Sequence, residues 1–292
     1  MLISNIIGGL GNQMFQYAAG RSLSLAKGVE FRLDLSDFSG YGLHQGFELQ
    51  RVFNCPVLTA TTSDVQAILG WQTSPIIRRL LAKPALSMFR RSGFVVEPHF
   101  NYWPGICEIS SDSYLLGYWQ SEKYFIDAAN EIRTDLTFKS PLSSKNAELA
   151  AAIRLGNSIS LHVRRGDYTS NPKTTATHGL CSLEYYRSAI QYVIERVERP
   201  SFYIFSDDPA WVRENMKIGY PSVYVDHNHG AESYNDMRLM GLCKHHIIAN
   251  SSFSWWGAWL NPDSEKIVVA PRKWFANNND VSDLFPSGWV TL

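Results

Sequence analysis

The sequence predicts an α/β protein made of two doubly wound, Rossmann-like domains, on three observations. Near the N-terminus, "LISNII", an amphipathic run and "VEFRLDL" form a βαβ unit, which calls for parallel strands joined by right-handed crossovers. From about residue 146, strand-like and helix-like stretches alternate without a break, the pattern of an open sheet covered on both faces. Between these regions "FKSPLSSKN" reads as a linker, dividing the chain into domains 1–142 and 143–292.

In the opening unit Phe15, Ala18, Ala19, Ser22 and Ala26 fall at helical spacing, and Gly28 after Lys27 marks the stop. The stretch from about residue 36 to 140 mixes Gly, Pro and aromatic residues in irregular order and yields no clear elements. Within it "SPIIRRLLAKPALSMFRR" is basic and broken by Pro84, which predicts two short helices. It is read as a solvated basic face, with docking on an anionic membrane surface as the rival. The second region is regular. "NSISLHV", "SFYIF", "SVYV", "HHIIAN" and "KIVVA" are strands. Between them come a helix through Leu183, Tyr186, Ile190, Val193, Ile194 and Val197 capped by Ser182, and a short one begun by Pro209. "YNDMRLMGLCK" and "SSFSWWGAWL" complete the set.

Composition narrows the function classes. In 292 residues, 27 basic side chains balance 27 acidic ones, which argues against a protein that coats nucleic acid. No secretory signal and no span of about 18 apolar residues is visible, so a cytoplasmic protein is expected. Cys55, Cys107, Cys181 and Cys243 are scattered without a CxxC or zinc spacing, and reduced thiols are expected.

Residues suited to chemistry gather where strands end, the place where open α/β sheets bind ligands. "HVRRGDY" places Arg164 and Arg165 at a strand tip. A guanidinium fork holds two phosphate oxygens at once, and Asp167 can pair with the other arginine. His162 either reaches the ligand or is a satisfied core histidine; a surface salt bridge is the bland reading of the arginines. In "ANSSFSWWGAW", Asn250, Ser251, Ser252 and Ser254 crowd a helix entry. Free N–H groups and hydroxyls there suit an anion, whereas plain capping needs only one such residue; Trp255, Trp256 and Trp259 read as packing.

Asp207 and Asp208 in "FSDDP" can bind metal, cap a helix or accept from a nucleobase. Capping accounts for one of them, and base binding fits the remaining role better than phosphate binding, because a carboxylate at a phosphate site would repel the ligand. "GGLGNQMFQ" matches the first two glycines of G-x-G-x-x-G with Gly9 and Gly11, and Asp34 stands where a ribose-binding acid would. Met14 occupies the third small position, however, and argues against a pyrophosphate loop. The turn instead offers close backbone approach, with Asn12 and Gln13 presenting neutral amides suited to sugar hydroxyls. There is no P-loop and no Asp-x-Asp, and the "HNH" of His227–His229 reads as a solvated loop rather than a metal site.

Taken together the chain resembles the bacterial α-1,2-fucosyltransferases, glycosyltransferase family 11. The matching stretches are "GGLGNQMFQYAAG", "HQGFELQRVF", "GYWQSEKYF", "HVRRGDY", "FSDDPAWV" and "DMRLMGLCKHHIIANSSFSWWGAWLNP", in that order. The resemblance implies a GT-B fold, with two Rossmann-like domains facing a cleft, an acceptor side in the first and GDP-fucose bound mainly by the second. It implies inverting transfer of L-fucose from GDP-β-L-fucose to the 2-hydroxyl of a terminal β-galactoside, as in O-antigen or lipopolysaccharide assembly, with no cofactor and no metal. The acceptor partner is then a galactose-terminated oligosaccharide, lipid-linked in one version; peripheral membrane contact belongs to the rival reading of the basic segment. It further implies that Arg164 grips the β-phosphate, with Arg165 and Asp167 in support. His162 and Asp208, with Asp207 as substitute, would touch guanine or ribose; Asn250, Ser251, Ser252, Phe253 and Ser254 would wall the diphosphate. Asp34, Asp37, Glu48 and Glu122 are candidate general bases, with no choice made among them. Rival readings are a GDP-fucose enzyme of another linkage, an NAD-type oxidoreductase using the Gly9–Gly11 turn, and a non-catalytic glycan binder.

Overall fold

The structure, a computed structural model, describes all residues except 41, 43, 167–176, 178 and 278. The chain forms two compact units, Met1–Lys139 with Asp280–Pro286, and Ser140–Asn279 with Ser287–Leu292. The short stretch Asp280–Pro286, assigned by sequence to the second domain, thus packs with the first unit.

In the first unit, strands β1 (Leu2–Asn5), β2 (Phe31–Asp34), β3 (Phe94–Val96) and β4 (Ser113–Leu116) form a parallel sheet in the order β2-β1-β4-β3. Helix α1 (Leu10–Lys27) makes the first crossover and ends at Gly28, whose φ of 64° is the left-handed stop that a glycine adopts without strain. Close packing of α1 on the sheet falls at Gly20: a Cβ there would come within 2.4 Å of the Phe31 ring. Helices α2 (Leu49–Val52), α3 (Thr62–Leu69), α4 (Pro75–Leu81) and α5 (Ala129–Asp135) complete the unit. Thr61 and Asp64 close a capping box at the start of α3.

Pro84 separates α4 from a 3₁₀ turn over Pro84–Phe89, as the sequence predicts. One basic residue of the segment is not solvated, however. Arg78 is buried and paired with Asp34 at 2.6 Å, with the Tyr114 hydroxyl also donating to Asp34 at 2.6 Å. Burial alone would raise the Asp34 pKa, but the bonds from Tyr114 and Ser36 and the charge of Arg78 together hold it below the usual carboxylate range. Asp34 is therefore a structural anion and not a free ribose-binding acid, which removes a support of the oxidoreductase reading.

The second unit begins with α6 (Ser144–Leu155) and continues β5 (Asn157–Val163), α7 (Leu183–Ile194), β6 (Pro200–Ser206), α8 (Pro209–Asn215), β7 (Ser222–Val225), α9 (Tyr234–Leu242), β8 (His245–Ile247), α10 (Ser252–Leu260), β9 (Val268–Ala270) and β10 (Val290–Thr291). All six strands are parallel in the order β10-β9-β8-β5-β6-β7. The order reverses between β5 and β8, so the switch point lies at their carboxyl ends. Ile159, Leu161 and Val163 pack with α7 on one face, and the strand alternation turns Ser158, Ser160 and His162 to the other. Trp255, Trp256 and Trp259 are buried as packing residues. His246 is also internal, bonded to the Ser160 hydroxyl at 2.9 Å and the Asn261 amide at 3.1 Å. Among the described residues no helix is long and apolar enough to cross a membrane, and all four cysteines are free.

Candidate functional site

The carboxyl ends of β5, β6 and β8 bring most of the sequence-marked residues together. Val163 lies opposite Ser206, and Leu161 opposite Ile247, so Arg164 and Arg165 leave the sheet between "FSDDP" and "ANSSFS". Arg164 Nη1 pairs with Asp207 Oδ2 at 2.8 Å. The other oxygen of Asp207 accepts the Arg165 backbone N–H at 2.8 Å. Gly166 is required beside it, because a Cβ would lie 2.7 Å from the Asp207 carboxylate. Arg165 turns the opposite way. Its guanidinium carbon stands 3.6 Å from the Trp211 ring centroid, and its Nε is 3.5 Å from Asp208 Oδ2.

Asp207 and Asp208 are both engaged within the protein. Asp207 serves Arg164 and the β5 turn, while Asp208 Oδ1 caps α8 by accepting the Trp211 N–H at 3.1 Å. Each arginine thus has an acid beside it; the pairing expected of Asp167 falls on a residue outside the described ones.

His162 is the orphan of the site. It is 6% exposed, and its Nδ1 is buried without a hydrogen-bond partner. Burial and then the neighbouring Arg164 charge push its pKa down to about 4, against the opposing pull of Asp207, so the ring is neutral at pH 7. Its ring centroid is 6.0 Å from that of Phe253 in the first turn of α10. There the backbone N–H groups of Ser252, Phe253 and Ser254 meet no acceptor among the described residues, and Ser251, at the N-cap, makes no side-chain cap. The Ser254 hydroxyl donates to the Ser251 carbonyl at 3.3 Å. Asn250 differs from its serine neighbours. Its amide donates to the Trp274 carbonyl at 3.2 Å and its oxygen accepts from Cys181, which makes it a brace for the loops around the site.

Two carboxylates were not singled out by sequence. Asp236, in the first turn of α9, accepts the Asn228 amide at 2.7 Å and is raised to about 7 by burial. Its surroundings include Asn146, bonded to both His227 and Asn228, so the first two residues of "HNH" are braced from within while His229 is exposed, as a loop reading expects. Glu97, directly after β3, accepts the N–H groups of Tyr118 and Trp119 at 2.7 and 2.9 Å, and burial raises it to about 7. An acid directly after an apolar strand, as in "FVVE", was the available signal for Glu97. Among the described residues no cluster of three or more His, Cys, Asp or Glu gathers for a metal.

The glycine turn of the first unit is tightly braced. Gly8 has φ 89° and Gly9 caps α1. Gln13 is fully buried, donating to the Gly8 and Gly46 carbonyls at 2.8 Å each and accepting the Glu48 N–H at 2.9 Å. Its amide is thus engaged internally, contrary to the expected role toward sugar hydroxyls. Asn12 is partly exposed and accepts from Gln120 at 2.8 Å. Gly9 lies against the His44 ring, and Gly11 is buried within α1.

Comparison with known proteins places this geometry in a class. Residues 105–292 match the model of glycosyl transferase family 11. An α-1,2-colitosyltransferase of Escherichia coli is 36% identical across 100% of this chain and 99% of its own length. The O-antigen biosynthesis glycosyltransferase WbnK of Escherichia coli is 34% identical with both chains fully covered. A galactoside α-(1,2)-fucosyltransferase of Saimiri sciureus is 27% identical over 59% of this chain and 54% of that protein. Among solved structures, the fucosyltransferase NodZ from Bradyrhizobium superposes with a TM-score of 0.55 at 15% identity, covering 89% of this chain and 92% of NodZ, a likeness of fold. The chain belongs to glycosyl transferase family 11 and has the α/β fold of GT-B glycosyltransferases.

Proposed function

We propose that this glycosyltransferase moves L-fucose from GDP-β-L-fucose to the 2-hydroxyl of a terminal β-galactoside, with inversion and without a divalent metal. One observation carries the reading. At the β5/β8 switch point a neutral His162 with an unpartnered buried nitrogen lies beside the Asp207-held Arg164 and against the uncapped first turn of α10. A diphosphate satisfies the arrangement: its oxygens take the Arg164 fork and the N–H groups of Ser252–Ser254, with the Ser251 and Ser252 hydroxyls at hand. Asp207 fixes the direction of Arg164, and Arg165, clamped on Trp211, holds the turn in place.

In the reaction the bond from fucose C1 to the GDP oxygen breaks as the acceptor oxygen bonds C1 from the opposite face. The acceptor proton passes to a carboxylate base or to water, and negative charge collects on the diphosphate. Preorganised donors aimed at such charge are worth about 3 kcal/mol each. For the nucleobase, Asp236 replaces Asp207 and Asp208 in our reading. Its carboxylate has a single neutral side-chain donor, Asn228, and α9 packs beside α10 on the His162 face of the sheet, so a guanine edge can supply further N–H groups.

The 36% identical colitosyltransferase favours a second donor, a GDP-colitose. Incubation with each donor and lactose, with and without EDTA, followed by linkage analysis, separates the cases. An α-1,2-fucoside formed in EDTA supports the proposal. Exclusive use of GDP-colitose overturns the donor, and a requirement for added cation overturns the metal-free account.

A further inference from the structure

Five of the large apolar side chains exposed on the described surface fall within one short stretch of the first unit: Trp71, Ile76, Leu80, Met88 and Phe89, with Ile76 and Met88 both more than 80% exposed. They share one layer. Helix α4 turns Ile77, Arg78 and Leu81 inward and leaves Ile76, Arg79 and Leu80 outward, with Lys83 one turn on. Gln72 ties the Trp71 turn to the 3₁₀ turn, donating to the Phe89 carbonyl at 2.8 Å and accepting the Arg91 N–H at 3.1 Å. Arg90 binds the Leu81 and Ala82 carbonyls at 2.7 and 3.0 Å, closing the end of α4.

The charge on this layer has one sign. Residues 65–96 contain five Arg or Lys and no Asp or Glu. Arg78 is neutralised inside by Asp34, whereas the exposed side chains of Arg79 and Lys83 have no partner among the described residues. Exposed Arg91 lies over Gly70, next to Trp71. A soluble partner that is only apolar would leave these cations unmatched, and an acidic protein would leave Ile76, Met88 and Phe89 wet. An anionic bilayer meets both, taking the apolar tips below the headgroups and the cations among the phosphates.

We infer that the layer formed by Trp71, α4 and the Pro84–Phe89 turn docks this protein on an anionic phospholipid surface. The inference is independent of the donor and acceptor proposed above. The test is co-sedimentation of the full chain with vesicles of phosphatidylcholine containing phosphatidylglycerol, against phosphatidylcholine alone, at low and high salt. Binding is expected only to the anionic vesicles and is weakened by salt. The double variant Arg79→Gln/Lys83→Gln is expected to bind about fivefold more weakly per charge removed, and Ile76→Ser/Met88→Ser at least about tenfold more weakly. Both change only exposed side chains, and transfer to a soluble acceptor should be unchanged, which guards against misfolding. Failure of the parent protein to bind anionic vesicles at low salt overturns the inference, as does equal binding by the variants. Sedimentation showing a dimer that these substitutions dissociate, without vesicle binding, assigns the layer to a second copy of the chain instead.

Discussion

Arg164 is the residue on which the proposed chemistry turns. A surface ion pair of its exposure would contribute well under about 1 kcal/mol, whereas a donor aimed at developing diphosphate charge is worth about 3 kcal/mol. Arg164→Ala is therefore expected to lower kcat/KM at least about a hundredfold with little change in melting temperature. Arg164→Lys should recover little, since an ammonium cannot reproduce the fork. A loss below tenfold would return Arg164 to the status of a surface residue. The pair of arginines was legible in sequence because a strand tip followed by glycine is a local pattern. The partners were not: whether Asp167, Asp207 or Asp208 faces Arg164 depends on the β5–β6 register, which pairs residues 43 apart. Gln13 was misjudged for a similar reason, since the loop that engages it arrives from Gly46 and Glu48.

At the level of elements, α10 carries the proposed anion site and α1 the first sheet's packing. Ser252→Pro is a sharp probe of α10. Proline suits the first helical position, and Ser251 before it is already extended at φ −141°, ψ 126°. The helix should survive while one N–H is deleted, so GDP affinity is expected to fall about five- to thirtyfold by calorimetry with unchanged circular dichroism. Unaltered affinity would remove the helix tip from the site. In the first unit, Arg78→Ala strands a buried Asp34 and is expected to cost about 3–5 kcal/mol in chemical denaturation. A loss under 1 kcal/mol would mean that water reaches Asp34. The βα rhythm of the second unit was readable because each strand is an apolar run bounded by caps. In contrast, β3 and β4 lie in a stretch crowded with turns and short helices, where no regular alternation of elements frames them. The basic segment was read as solvated because nothing local shows that Arg78, two residues from exposed Ile76, meets an anion 44 positions upstream.

Across the whole molecule, titration couples the site to stability. Glu97 and Asp236 have folded pKa values raised to about 7, so each contributes stability at low pH that is lost as pH climbs from about 4 to 7. His162 is lowered to about 4, and His246 lies well below its ordinary value; each contributes stability above pH 6.5 that is lost as pH falls. Each group contributes up to about 1.4 kcal/mol per pH unit within its window, and the two trends oppose one another between about pH 4.5 and 6.5. His162→Gln removes one acid-side loss, so its stability relative to the parent protein should rise as pH drops across that range; no such difference would mean that His162 is protonated in the folded protein. The unit-level architecture followed from the alternation of elements, yet the return of Asp280–Pro286 to the first unit had no local marker, since a chain crossing back leaves its trace only in distant contacts.

The most direct measurement is a crystal structure of the protein with GDP, grown with EDTA. The expected result is a diphosphate within hydrogen-bond distance of the Arg164 guanidinium and of the first-turn N–H groups of α10, with His162 beside the nucleotide. A diphosphate bound away from both Arg164 and Ser251–Ser254, or nucleotide that binds only once a divalent cation is restored, would contradict the account.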